Sequence, residues 1–247
     1  MSEDVRVLET VERAAFAALL PDTPESLITK SLLAEGQLRL LACADAVLAT
    51  ESPLEPEEPM AFGSNPAAIV ATLQACGSWA AVSVVPRAAD EVARLLMSEH
   101  GVTTRRVIDR YLVRGNDPAL SPPANARLLA KADALLVEAS QEAFEALLPG
   151  ITRATPIRAA TIIDGNIVSM GVVNARTQRH ANVAVATLPD WRGNGYGTAV
   201  AEVVVHAVLQ TKRRAVWSSA ETNVPSLAIA RHLGFEDTTE RVYLIRA

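Results

Sequence analysis

The sequence has little of what marks secreted, disulfide-rich or metal-binding proteins. Only 2 of its 247 residues are cysteine, and aromatic residues make up 4%. No Cys-x-x-Cys pair or Cys/His cluster occurs, so we expect no structural zinc and no other metal site. We expect Cys43 and Cys76 to be buried free thiols in a reducing compartment.

Long apolar runs are missing as well, because none reaches the ~18 to 20 residues that a membrane-spanning helix requires. The first residues are acidic and lack the basic region that begins a secretory signal. The formal net charge of −5 provides no general attraction to nucleic acid or to anionic membranes. We therefore expect a cytoplasmic protein that binds neither nucleic acid nor membrane.

Apolar residues are plentiful, at 49% of the chain, which is enough for a sizeable core. Two proline-rich stretches, 51–59 and 115–123, interrupt the regular patterns because proline fixes φ and removes a hydrogen-bond donor. Regular patterns resume on both sides of the second stretch. We therefore predict an N-terminal α/β domain over residues 1–120, forming a wall of the substrate pocket, and a second domain over residues 121–247.

Hydrophobic periodicity predicts alternating helices and strands in both halves. In the first half we predict helices over 9–20, 24–34, 66–76 and 88–100, and strands over 38–50, 79–85 and 105–113. In the second half we predict helices over 140–148, 196–210 and 225–233, and strands over 127–132, 157–163, 167–173, 181–188, 215–219, 235–238 and 242–246. This order predicts a mixed α/β sheet. Both halves end as helix, strand, helix, strand, which we interpret as an internal duplication.

A glycine-rich segment lies between an apolar strand and the clearest helix of the chain. It contains Arg192, Gly193, Asn194, Gly195, Tyr196, Gly197 and Thr198. Three glycines in five residues allow a tight turn, and the N–H groups at the start of the helix favour an anion, so the segment predicts a phosphate or pyrophosphate site. The spacing does not fit a G-x-G-x-x-G dinucleotide loop or a Walker loop, but it satisfies R-x-x-G-x-G.

A second motif follows after one further strand. Asn223 and Ser226 stand at the start of a helix, and Leu233, Gly234 and Phe235 close it, with Gly234 suited to a left-handed helix cap. Together, in this order, the two motifs resemble those of the GNAT-superfamily N-acetyltransferases over residues 127–247. The first half matches no named motif; its corresponding loop lacks the arginine and two glycines, so we interpret it as a degenerate GNAT-like copy.

The resemblance implies the GNAT acyl-CoA N-acyltransferase fold, with acetyl-CoA as the acyl donor. It implies that the backbone of Val185, Ala186 and Thr187 pairs with the pantetheine arm. It implies that the amides from Gly193 to Thr198 hold the pyrophosphate with Arg192 nearby, while Asn223 and Ser226 are free to contact the cofactor. A backbone N–H near Val185 or Ala186 would stabilise the oxyanion.

The catalytic acid of the family is replaced in this chain. Its tyrosine stands seven residues after the motif asparagine, and that position is Ala230. Tyr243, on a late strand, is a candidate substitute as the acid, and Glu221, two residues before Asn223, is a candidate base. Water is the alternative to either residue.

These features predict an N-acetyltransferase that moves an acetyl group to a primary amine of a small molecule. Two alternatives stay open at this stage: a protein or peptide N-acetyltransferase, and a non-catalytic acyl-CoA-binding regulator, which the loss of the tyrosine allows. We expect the protein to be a monomer or a homodimer, because no motif demands another state.

Overall fold

The computed structural model describes residues 4–54, 56–115, 123–153 and 155–247. Their strands form one twelve-stranded sheet in the order β1-β2-β3-β4-β5-β12-β6-β11-β10-β9-β8-β7. The predicted boundary between residues 120 and 121 lies outside the described residues. Among the described helices, none combines the length and apolar character needed to cross a membrane.

The first half supplies six strands and four helices. Its strands are β1 (Arg6–Val7), β2 (Arg39–Cys43), β3 (Ala46–Thr50), β4 (Met60–Phe62), β5 (Ala81–Val84) and β6 (Thr104–Arg114). Its helices are α1 (Thr10–Leu19), α2 (Leu27–Ala34), α3 (Pro66–Cys76) and α4 (Pro86–His100). Helix α3 begins where it does because Asn65 caps it and proline occupies its first position.

The second half repeats this plan. Its strands are β7 (Arg127–Leu128), β8 (Arg158–Ile163), β9 (Asn166–Arg176), β10 (His180–Thr187), β11 (Arg214–Ala220) and β12 (Glu236–Arg246). Its helices are α5 (Ala134–Glu145), α6 (Tyr196–Gln210) and α7 (Val224–His232). Short 3-10 turns precede α2 and α5 and follow β10.

Read inward from one edge of the sheet, the strands are β1 to β5 and then β12; read inward from the other edge, they are β7 to β11 and then β6. Each strand of the first half therefore has an equivalent in the second half. Strands β4 and β5 pair in parallel, as do β10 and β11, and every other neighbouring pair is antiparallel. The last strand of each half is exchanged: β12 pairs with β5 of the first half, and β6 pairs with β11 of the second. The duplication expected from the order of the elements is therefore present in the fold.

The exchanged strands also complete each other's cores. Val242 and Leu244 of β12 are buried in the cluster under α3 and α4, and Leu112 of β6 is buried in the cluster under α6 and α7. Because each half closes its core with apolar side chains from the other, the two halves form one interdependent packing unit.

The predicted elements are mostly present, with six corrections. The strand predicted over 38–50 is the hairpin β2–β3, and neither β1 nor β4 was predicted. The strand predicted over 127–132 contains only β7, and the helix predicted over 140–148 lies earlier, as α5. The two closing strands are the single strand β12, which contains a bulge between Asp237 and Thr239. Cys43 is buried as expected, but Cys76 is only half-buried.

Candidate active site

Strands β10 and β11 part in the middle of the second half. They pair only from His180↔Arg214 to Asn182↔Val216, after which β10 continues to Thr187 and β11 to Ala220 without further pairing to each other. Each strand keeps its other neighbour, β9 or β6. Alternate backbone groups of β10 beyond Asn182 therefore face a gap that a ligand with amide groups can pair with.

The glycine-rich loop stands at one end of this gap. Gly193 and Gly195 have φ of 80° and 77°, so both adopt the left-handed conformation that glycine permits. Gly195 caps α6, and the first-turn amides of that helix have no acceptor within the helix. The loop is exposed, and it places a row of N–H donors with partial positive charge at the mouth of the gap.

Gly197 and Arg192 fix the loop against the end of β10. A Cβ at Gly197 would stand 3.1 Å from Thr187 Oγ1, so a larger residue would require Thr187 to shift by a few tenths of an ångström, and glycine favours the close approach of α6 to the strand. Arg192 Nε donates to the Thr187 carbonyl oxygen at 3.1 Å. Asn194 Nδ2 donates to the carbonyls of Trp191 and Arg192, and the rings of Trp191 and Tyr196 lie 6.2 Å apart. Of the residues predicted for pyrophosphate binding, Arg192 to Gly195 thus form one exposed turn, and Tyr196, Gly197 and Thr198 are half-buried in the first turn of α6.

The gap opens into a cleft of about 400 Å³. Val185, Ser218, Ser219, Asn223 and Ser226 line the side next to the glycine loop. The far side is lined by residues of the first half and of β12: Ile28, Glu58, Ala81, Val107, Asp109, Tyr243 and Ile245. The cleft therefore crosses the exchanged strands and joins both halves of the molecule.

Asn223 and Ser226 line the cleft and also hold α7 in place. Asn223 Oδ1 accepts from the Ser226 N–H at 3.3 Å, which caps the helix. Trp217 Nε1 donates to Ser226 Oγ at 3.0 Å. Ala230 lies on the buried face of α7 with no exposed surface, so its side chain packs in the core.

The two residues predicted for catalysis differ in their placement. Tyr243 lines the cleft. Glu221 is exposed just beyond β11, 3.8 Å from Arg110 Nη2, and does not belong to the described lining of the cleft. His180, at the start of β10, is buried, with Nδ1 2.9 Å from Asp22 Oδ1.

Asp109 is the cleft residue with the strongest electrostatic signature. Burial raises its pKa to about 6; Glu58 adds to this, while a hydrogen bond from Tyr111 and the charge of Arg241 oppose it. Burial also raises the pKa of Glu58. The sequence analysis missed Asp109, although it follows Val107 by two residues and so interrupts the apolar face of β6.

Comparison with known proteins identifies a family that matches this region of the chain. A family model described as GNAT acetyltransferase matches residues 158–243. The second half of the chain has the GNAT fold, and residues 158–243 within it match this family. That match ends at Tyr243, so it spans the glycine loop, the gap between β10 and β11, and the residue that lines the cleft from β12. No curated protein matches the chain.

Solved structures extend the likeness to the whole fold. A GCN5-related N-acetyltransferase-like protein from Streptococcus suis is 16% identical, with a TM-score of 0.67 over 97% of this chain and 100% of that chain. A GCN5-related N-acetyltransferase from Kribbella flavida is 20% identical, with a TM-score of 0.62 over 97% and 96%. A tandem GNAT protein from the clavulanic acid biosynthesis pathway is 15% identical, with a TM-score of 0.60 over 98% of each chain. The first half is thus GNAT-like in fold as well.

The gap between β4 and β5 in the first half corresponds to the gap between β10 and β11. Those strands pair only at Met60↔Ser83. Arg241 of β12 fills the space beyond: its Nε donates to Ser83 Oγ at 2.7 Å, and Nη2 donates to the carbonyl oxygens of Ala61 at 2.5 Å and Ser83 at 2.9 Å. The guanidinium also lies 5.2 Å from the centre of the Phe62 ring. The backbone carbonyl oxygens of Ala61 and Ser83 at this gap therefore already accept hydrogen bonds from the protein.

Proposed function

We propose that the chain is an N-acetyltransferase that moves an acetyl group from acetyl-CoA to the primary amine of a small molecule. The observation that supports this most is the open gap between β10 and β11, which begins at the glycine loop and runs into the cleft. The gap suits an extended arm with amide groups, the loop suits a pyrophosphate, and the cleft has room for an acceptor beside the thioester.

The residues of this chain would divide the work as follows. Amides from Gly193 to Thr198 would hold the pyrophosphate, and the backbone of Val185, Ala186 and Thr187 would align the arm. Bound acetyl-CoA supplies an acetyl thioester whose carbonyl carbon accepts the amine nitrogen. An N–H of β10 near Val185 or Ala186 would donate to the oxygen that becomes negatively charged. Tyr243 lines the cleft, and its hydroxyl would protonate the departing sulfur.

The two alternatives from the sequence have less support. A protein or peptide acceptor would need an open groove. This cleft is instead bordered by residues of both halves, including Ile28 and Leu148. A non-catalytic regulator is compatible with Ala230, but release of free CoA in the presence of any amine would exclude it. The cytoplasmic location and the monomeric or homodimeric state stay predictions from the sequence.

Calorimetric titration with acetyl-CoA tests the proposal. We expect micromolar binding to the wild type and no measurable binding to the Arg192→Ala, Gly195→Ala double variant, because both the loop turn and its anchor on Thr187 are lost. The matched control is Asn65→Ala, which changes the corresponding loop of the first half. It should lose about 1 kcal/mol of stability through the helix cap of α3 and keep its affinity. Wild-type protein that binds neither acetyl-CoA nor longer acyl-CoAs would refute the transferase.

A further inference from the structure

The acceptor end of the cleft carries two carboxylates, Asp109 and Glu58, and both come from the first half of the chain. Asp109 lies on β6, directly opposite Ala220 of β11 and Arg241 of β12. Glu58 lies just before β4, beyond β5 in the strand order. Neighbouring strands stand about 4.8 Å apart, so Asp109 is one strand from the edge of the β10–β11 gap, whereas Glu58, near β4, is farther from that gap.

The rest of this end of the cleft is apolar or already engaged. Val107, Tyr243 and Ile245 line it from the two exchanged strands, and β11 contributes the uncharged residues Ser218, Ser219 and Ala220. The charge nearest to Asp109 on β12 is Arg241, which is 2% exposed and directs its Nε and Nη2 at Ser83 and Ala61. The other titratable groups on the same face of β6 are Tyr111, which is buried, and Arg105, which is exposed and lies four residues before Asp109. Two partly buried carboxylates therefore face a space that is otherwise suited to a hydrocarbon chain.

We propose that Asp109 and Glu58 form the acceptor subsite and that the acceptor is a diamine, with Asp109 taking a proton from the reacting ammonium and Glu58 binding the second cationic group. This inference rests on the proposed transferase function and names its substrate class and its base. Two carboxylates at different distances from the β10–β11 gap match two positive charges joined by an apolar chain, and a cation restores the charge balance that their burial disturbs.

The proton transfers balance with these groups. The reacting ammonium gives one proton to the Asp109 carboxylate and becomes a neutral amine. Its nitrogen forms a bond to the thioester carbonyl carbon, and the C–S bond then breaks. The nitrogen loses its second proton as the amide forms, and the departing sulfur gains one through the Tyr243 hydroxyl, which is replenished by that second proton. Asp109 releases its proton to solvent, so the products are the acetylated amine, free CoA and one proton.

A comparison of three matched ligands tests the subsite without acyl-CoA. We would measure binding of 1,5-diaminopentane, 1-aminopentane and 1-pentanol to the wild type by calorimetry. We expect the diamine to bind about tenfold more tightly than the monoamine, with the alcohol weakest, since each step removes one charge-assisted contact. Equal affinities for the three ligands would overturn the acidic subsite, whether or not acetyl-CoA binds.

Two variants separate the roles of the carboxylates. Asp109→Asn should lower kcat by about 100-fold or more while leaving the affinity for acetyl-CoA within about twofold. Wild-type kcat/KM should fall as the pH drops below about 6, where Asp109 becomes protonated. The Asp109→Asn variant should not show this decrease. Glu58→Gln should raise KM for the diamine about tenfold, leave kcat nearly unchanged, and abolish the preference over the monoamine.

The matched control is Glu240→Gln. It removes one negative charge from β12 next to Arg241, but Glu240 faces Arg110 and not the cleft. We expect its kcat, its KM and its pH profile to match the wild type. If Asp109→Asn keeps more than half of kcat, or if its kcat/KM still falls below about pH 6, Asp109 is not the base. If the wild type itself does not bind acetyl-CoA, the proposed function fails.

Discussion

The two gaps in the sheet show how one fold can be open in one half and closed in the other. In the second half, β10 and β11 part beside the glycine loop of residues 188–195, and the exchanged strand β6 brings Asp109 to the cleft. In the first half, β4 and β5 part beside a loop of only residues 63–65, and the exchanged strand β12 brings Arg241 into the gap.

The exchanged strand and the loop beside each gap together determine what that gap can hold. Asp109 and Arg241 are direct cross-strand partners at the centre of the sheet. Asp109 nevertheless lines the open cleft, whereas Arg241 donates hydrogen bonds to Ala61 of β4 and Ser83 of β5. A buried cation that satisfies backbone carbonyls stabilises its gap but leaves no acceptors for a ligand. Each half therefore depends on the other: the second half for the Asp109 side of its cleft, and the first half for the arginine that closes its gap.

The largest effect should come from removing the exchange. A fragment of residues 123–247 lacks β6, so β11 and β12 lose their shared neighbour and Leu112 leaves the core under α6 and α7. We expect this fragment to show no cooperative thermal unfolding as a monomer, as judged by circular dichroism and calorimetry. A fragment of residues 103–247, which restores β6, should recover a transition. Cooperative folding of the shorter monomer would show that the halves are independent.

A smaller loss should follow from emptying the closed gap. In Arg241→Ala, the carbonyls of Ala61 and Ser83 lose their buried donor, and we expect the free energy of unfolding to fall by about 2 to 4 kcal/mol. Arg241→Lys keeps the charge but not the planar fork, and should lose about half as much. Chemical denaturation measures both effects.

The Arg241→Ala variant also tests whether the gap between β4 and β5 can bind acetyl-CoA once the arginine is removed. Because the loop of residues 63–65 lacks the glycine turn, we expect one acetyl-CoA per chain in the wild type and in Arg241→Ala. Calorimetry gives this stoichiometry directly. Two acetyl-CoA molecules bound per chain of the variant would mean that Arg241 alone closes the first half, whereas two in the wild type would mean that the gap is not closed at all.

The sequence predicted the parts of this comparison that depend on local signals. Helices α3 and α6 have the predicted bounds because proline and Asn65 start the first, and the glycine loop starts the second. The glycine loop and the Asn223 motif likewise mark their own positions. The β2–β3 hairpin was missed because its turn holds Ala44 at φ 46° with neither glycine nor asparagine to indicate it.

The strand exchange depends on contacts that no local pattern carries. Strands β6 and β12 read as ordinary closing strands of their own halves, and only their pairing to β11 and β5 reveals the exchange. Asp109 and Arg241 owe their surroundings to that pairing, which is why the sequence suggested Glu221 as the base. The catalytic role of Glu221 stays a prediction, with less structural support than that of Asp109.

The smallest effect tests how firmly the first half holds β10, the strand that borders the open gap. Asp22, just before α2, accepts hydrogen bonds from Thr177 and His180 at the start of β10, at 2.7 Å and 2.9 Å. Burial alone would raise the pKa of Asp22, but the bonds from His180 and Thr177 outweigh burial and lower it. The folded state therefore favours the ionised carboxylate.

A lowered carboxyl pKa gives stability that is present above the unfolded value of about 3.9 and lost as the pH falls through the folded value. We expect Asp22→Asn to lower the free energy of unfolding by about 1 to 2 kcal/mol at pH 7, and the difference from wild type to shrink below about pH 4. Asp190→Asn, at an exposed carboxylate of the second half, is the control and should change neither the free energy of unfolding at pH 7 nor its dependence on pH. A difference for Asp22→Asn that stays constant down to pH 3 would mean that side-chain packing, and not the ionised carboxylate, joins α2 to β10.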